Sequence, residues 1–548
     1  MRRLLTWFGG VVLVLLLASA ALWFFLFRPP PPGSPSAPVT TTLGPVRGLE
    51  SQGVIAYRGL PYAAAPVGAR RWRAPQPAAA WTKTRDAFTF GRACPQIGSP
   101  VPGLPPEPQS EDCLYLNVWA PARSGGEPLP VILWLHGGGD LVGSASAYPY
   151  WGTQLARKGV VLVSANYRLG ALGFLAHPEL TAESPHHASG NYGLMDIVAA
   201  LRWVQANARA FGGDPDNVTV MGHSAGSSNI GNLQILPETA GLYRRIIAMS
   251  SGDFGPAGTQ EGPAPLADAE AAGVRFARKL GAGSLAELRA LPADQIVKAP
   301  VGLWRDRTNG GDIPVTVDGY IIAGDLHDAY AAGKAHPVDL LTGYTALEGV
   351  GLGFPTAADA ATYRAEVQKR YGAFASSILH EYPAGDDAQA RQSAIRLTGE
   401  HASKWHMMTW ARLHAATHQG KVFFYRFSRT PGIGPFRRIG AAHGSELGYV
   451  FDFPRRGIRY GTQWPWKAWR DSALVDTIQG YWVNFARTGD PNGPGLPAWP
   501  QFAGGPQVMD FGDEARVRNW PEAEEHRLMD AYMKAMRAVR DRNAMIDK

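Results

Sequence analysis

Three short runs in this chain are apolar almost from end to end: residues 131–135 (Val, Ile, Leu, Trp, Leu), 160–165, and 218–220. A strand with one wet face alternates apolar and polar residues, so runs without that alternation need cover on both faces. Between the second and third, residues 193–204 have helical spacing and are halted by Gly212, Gly213, Asp214 and Pro215. Strand, helix, strand in that order makes a right-handed crossover unit. The expected fold class is therefore α/β, a large and mostly parallel sheet flanked by helices. Residues 338–344 and 422–427 read as further strands. The Ala-rich stretch 256–307 reads as a helical insertion above the sheet, and the chain from Pro521 onward as one terminal helix. A 548-residue chain with 45% hydrophobic content can place this much core on one sheet.

The amino end is organised differently. Arg2 and Arg3 precede an almost unbroken apolar stretch, residues 4–27, closed by Arg28. As a helix it would reach roughly 36 Å, enough for a ~30 Å hydrocarbon layer. Residues 1–28 are thus expected to be an uncleaved anchor, with the charged end cytoplasmic and the body exported, facing the periplasm or cell exterior. The alternative is a signal peptide cut after Ala18, Ser19 and Ala20, giving a secreted product. Residues 29–38, six of them proline, predict an extended spacer, and residues 39–548 the globular body. Cys94 and Cys113, the two cysteines, both lie in the exported part, where a disulfide is favoured over buried thiols. The net charge of +7 is scattered rather than clustered, which excludes an obvious nucleic-acid face.

Chemistry enters at Ser224, set between Gly222 and Gly226 directly after the 218–220 run. A serine so placed is expected on a sharp strand-to-helix turn that lifts its hydroxyl above the sheet. The run 131–135 opens into His136, Gly137, Gly138, Gly139 and Asp140. Backbone N–H groups of Gly138 and Gly139, with that of Ala225, could receive an oxyanion. A nucleophilic serine needs a base, and the base an acid to fix its tautomer. Glu348, on a loop beyond the 338–344 strand, is the expected acid, with Asp339 as fallback. Among the histidines that follow, His401, His406, His414 and His418 sit in a helical pattern and read as structural, whereas His443 stands in a loop and is the expected base.

These segments resemble the type-B carboxylesterase family of α/β-hydrolases over nearly the whole body. The resemblance rests on Gly59 to Ala63, Ser110 to Val118, the His136 glycine loop, Asn166 to Arg168, Gly190 to Leu194, Phe211 to Pro215 and the serine turn. It implies hydrolysis of a small-molecule ester through an acyl-serine, with no metal or organic cofactor. It further implies Ser224, Glu348 and His443 as catalytic residues, a Cys94–Cys113 bridge, and structural ion pairs for Arg71, Glu111 and Arg168. Lipase, amidase or transacylase action, or a non-catalytic binding role, are the alternatives. Three departures stand out. His223 precedes the nucleophile where many relatives have Glu, and reads as a packing variant. Asp140 stands where relatives usually carry an aromatic residue, predicting a more polar pocket rim. No tryptophan lies between Val101 and Ser110, which removes the cation–π platform expected of a choline esterase.

Overall fold

Twelve strands join into one sheet in a computed structural model that describes residues 33–98, 108–122, 126–299, 315–350, 359–417, 420–430, 439–452 and 465–546. In chain order they are β1 (Ser34–Pro35), β2 (Leu49–Ser51), β3 (Val54–Pro61), β4 (Tyr115–Pro121), β5 (Leu129–Leu135), β6 (Val161–Ala165), β7 (Gly213–His223), β8 (Arg245–Met249), β9 (Asp339–Thr345), β10 (Val422–Phe427), β11 (Gln507–Phe511) and β12 (Ala515–Asn519). Across the sheet the order is β1-β2-β3-β4-β6-β5-β7-β8-β9-β10-β11-β12. Every neighbouring pair from β6 across to β11 is parallel. Antiparallel strands flank this centre on both sides. This is the α/β-hydrolase architecture, and the three apolar runs are its central strands.

The lack of alternation in those runs has the expected cause. Along β5, Val131, Leu133 and Leu135 enter one core cluster while Ile132 and Trp134 enter the other. The first core is closed by helices α1 (Tyr192–Asn207), α3 (Trp405–Ala416) and α5 (Ala523–Ile546), with α2 (Ala225–Leu233) following β7. Helix α1 presents Leu194, Ile197, Leu201 and Val204, spaced by three and four residues, as its buried stripe. The second core is closed by α4 (Pro465–Thr488) through Val475, Ile478, Tyr481, Trp482 and Phe485. Each such side chain contributes about 1.5–3 kcal/mol when fully buried. The insertion contains the helices Leu266–Lys279, Leu285–Ala290 and Ala293–Lys298.

Two polar clamps and one cross-link hold the loops near the site. Arg71 grips Glu111 with two hydrogen bonds of 2.7 and 2.6 Å. Arg168, just past β6, grips Asp196 of α1 with two of 2.7 Å. Cys94 and Cys113 are joined by a disulfide, with Cα atoms 5.0 Å apart.

One expectation is corrected at the amino end. Residues 34–38, expected to continue the spacer, take part in the fold: among the described residues the sheet begins at Ser34. Ser34 pairs with Glu50 and Pro35 with Leu49, and Ser36 N–H donates to the Gly48 carbonyl at 2.9 Å. Proline is admitted because β1 is an edge strand. The expected anchor, residues 1–28, lies outside the described residues, as do 99–107 and His418. Among the described residues no helix is long and apolar enough to cross a membrane.

Candidate active site

Strand β7 ends at His223, and the chain turns on Ser224 at φ 54° and ψ −128° before entering α2. So unfavourable a backbone needs support from outside. Ser224 N–H donates to the Met249 carbonyl of β8 at 2.8 Å, and the Ser224 carbonyl accepts from Ser227 N–H, also at 2.8 Å. The flanking glycines are steric necessities. A Cβ on Gly222 would lie 2.6 Å from the Gly226 carbonyl, and one on Gly226 would lie 2.4 Å from that of Leu135. Ser224 therefore stands at the carboxyl ends of the central strands, where open α/β sheets gather their ligands. Ala225 is the first residue of α2, so its N–H has no partner within the helix and faces outward with the positive end of the helix dipole.

The glycine loop after β5 lies against this turn. A Cβ on Gly137 would meet Ser224 Cβ and the His223 carbonyl at 2.7 Å each. Gly138 and Gly139 take φ values of 119° and 64°. His136 is buried, its ring stacked on Tyr167 at 4.5 Å, and Tyr167 Oη donates to the His136 carbonyl at 2.8 Å. Asp140 corrects the expectation of a polar rim. Its side chain turns inward, and the residue is only 8% exposed, with Oδ1 accepting from Asn229 Nδ2 of α2 at 2.9 Å. Burial first, and Asp253 to a lesser degree, push the Asp140 carboxyl up to about 7.

Glu348 and His443 arrive on two loops that are themselves tied, Leu347 N–H donating to the Ala441 carbonyl at 2.9 Å. His443 Nδ1 lies 2.5 Å from Glu348 Oε2, and Glu348 Oε1 accepts from Thr345 N–H at 2.6 Å. Burial alone would depress the His443 imidazole. The charge of Glu348 and the bond to it carry it above the ordinary histidine value. A carboxylate at Nδ1 holds the proton there, so in the neutral ring Nε2 is left as the acceptor; it is buried and has no hydrogen-bond partner among the described residues. Asp339, the fallback acid, begins β9 and is engaged elsewhere, accepting from Lys421 N–H at 3.0 Å and facing Arg245 at 3.7 Å.

A second buried group was missed in the sequence, although Glu446 stands only three residues beyond His443. Glu446 Oε1 accepts from Ser250 Oγ at 2.8 Å and lies 3.9 Å from His223 Nε2. The His223 ring lies 4.6 Å from that of His443. Burial, then the charge of Glu348, push Glu446 up to about 8, while burial and His443 hold His223 well below the ordinary value. Near neutrality a carboxylic acid therefore faces a neutral imidazole, and the pair is not ionic. Away from the site, Asp325, His327 and Asp328 bring possible metal-ligand atoms within 4.8 Å of one another. Arg540 already binds both carboxylates, at 2.7 and 2.8 Å.

The sequence matches the model of the carboxylesterase family over residues 35–529. It is 36% identical over 491 residues to a fumonisin B1 esterase of Sphingopyxis macrogoltabida, covering 86% of each chain. It is 33% identical over 510 residues to a para-nitrobenzyl esterase of Bacillus subtilis, covering 89% of this chain and 97% of the other. A solved PNB esterase structure superposes with a TM-score of 0.74 at 31% identity, covering 90% of this chain and 99% of that one.

Proposed function

The chain belongs to the carboxylesterase family and is a carboxylic ester hydrolase; from that premise we propose that Ser224 is the nucleophile, His443 the general base and Glu348 the acid that orients it. Ser224 Oγ attacks the ester carbonyl carbon as His443 Nε2 takes its proton. The N–H groups of Gly138, Gly139 and Ala225 receive the oxyanion. His443 returns the proton to the departing alcohol, leaving an acyl-serine, and then activates water for deacylation. The observation that carries this reading is the 2.5 Å contact of His443 Nδ1 with a fully buried Glu348, on loops tied beside the Ser224 turn. Ser224→Ala should abolish ester hydrolysis while the protein stays folded, and an organophosphate should add its mass to the Ser224 peptide alone. Activity retained in that variant, or labelling elsewhere, overturns the assignment.

Uncharged small-molecule esters are the substrate class this reading favours. Without a tryptophan between Val101 and Ser110, a quaternary ammonium forgoes a contact worth about 0.5–2 kcal/mol. Choline esters should do no better than their 3,3-dimethylbutyl counterparts; a catalytic efficiency at least tenfold higher for choline would refute the preference. The charged and apolar pattern of residues 1–28 supports a body tethered to a membrane outside the cytoplasm. Fractionation with amino-terminal sequencing decides this, and a soluble product beginning at Ala21 would replace the tether with secretion.

A further inference from the structure

We propose that the Asp140–Asn229 pair is a positioning device that sets the two halves of the oxyanion site against each other; this rests on the reading of Ser224 and its donors given above. The donors belong to two separate pieces of chain. Gly138 and Gly139 sit on the loop after β5, while Ala225 begins α2. An oxyanion is held well only if both pieces keep one spacing, and a displacement of about 1 Å can cost on the order of 10²-fold in rate.

The loop has little to fix it by itself. Gly138, Gly139 and Asp140 run through three successive positive φ values, 119°, 64° and 58°. Its own bonds, from Leu141 N–H and Val142 N–H to the Gly138 carbonyl, are 3.1 Å each and close only on the loop. Its contacts with the serine turn are mainly steric, since the missing Cβ atoms of Gly137 and Gly226 mark where backbones touch. Such contacts limit approach but do not hold the pieces together.

The 2.9 Å bond from Asn229 Nδ2 to Asp140 Oδ1 supplies the attraction. Asn229 stands one helical turn beyond Ala225 and is fully buried. Asp140 is tied from its other side, its carbonyl accepting from Gly170 N–H at 2.6 Å. Asp140 thus links the donor loop to α2 through its side chain and to the chain after β6 through its backbone. Aspartate also tolerates the left-handed conformation that position 140 requires better than most side chains do. Burying a carboxyl is costly, and that cost falls at a residue whose side chain hydrogen-bonds the donor loop to α2.

Asp140→Leu and Asn229→Ala should each lower kcat by about 10- to 100-fold while KM changes less than about threefold. Both should weaken a trifluoromethyl ketone, which forms an oxyanion on the nucleophile, by a similar factor. The double variant should lose little more than either single one, and Asp140→Asn, which keeps the acceptor oxygen, should recover most of the rate. Rates are to be expressed per site titrated with an organophosphate. If the wild-type enzyme is not titrated at Ser224, the reading of the nucleophile has failed. If it is titrated, and the variants turn over at the wild-type rate per site or differ only in melting temperature, the positioning role is overturned. Asn229→Ala serves the test should Asp140→Leu fail to fold.

Discussion

Glu348 and Glu446, both buried beside the paired histidines, meet different rings: Glu348 contacts His443 and Glu446 faces His223. Glu348 is bound to His443 Nδ1 and fixes which nitrogen carries the proton. Glu348→Gln should leave the ring in place and lower turnover by about 10³- to 10⁴-fold, as neutralising a triad acid does. Asp339→Asn should stay near wild type, and the reverse result would show that the acid was misassigned. Glu446 is held protonated up to about pH 8 by burial and by its charged neighbour. A carboxyl whose folded pKa is raised binds more protons folded than unfolded, so it costs stability as pH climbs from its unfolded value through the folded one. Glu446→Gln, which cannot ionise, should therefore gain stability relative to wild type between pH 5 and pH 8.5. Melting temperatures of the two proteins across that range check this, and a constant difference would refute it.

At the scale of the strand-turn-helix element, the glycines divide into those that must be glycine and those that need not be. Gly226→Ala puts a methyl 2.4 Å from the Leu135 carbonyl, a backbone atom that cannot yield, and should cost about 3 kcal/mol or more. Gly231, further along the same helix, has no neighbour nearer than 3.4 Å, and Gly231→Ala should stabilise by about 0.5–1 kcal/mol through helix propensity. Urea unfolding of both variants tests the contrast. The same division explains what was legible in the sequence. Central strands, α1, the serine turn and the glycine loop are written in local patterns, and so are the strand-end loops that bring Glu348 and His443. Asp140 turning to Asn229, and Glu446 to Ser250 and His223, could not be read, because each partner comes from a distant segment. The same holds for the π-helical turn Glu400–Lys404, whose buried side chains meet Glu261, Glu522 and His526. Position 34 entered the sheet unannounced because edge pairing uses backbone atoms that every residue carries.

For the molecule as a whole, the Cys94–Cys113 link, 19 residues apart, fastens the loop that Arg71 grips through Glu111. Closing a loop of that size should contribute about 3 kcal/mol, chiefly by restricting the unfolded chain. Replacing both cysteines with serine should lower the urea midpoint accordingly and leave kcat nearly unchanged; an unmoved midpoint would show the link to be idle. The long-range closures have a consequence in time. His443 follows Glu348 by 95 residues, and Tyr532, which donates to Glu261, follows it by 271. At about 5–20 residues per second of synthesis, His443 leaves the ribosome roughly 5–20 s after Glu348, and the closing helix later still. Through that interval β9 lacks β10, and the sheet face that α4 later closes stays uncovered. A nascent chain of this design exposes apolar surface for seconds before its closing helices arrive, and that exposure is where its risk of aggregation lies.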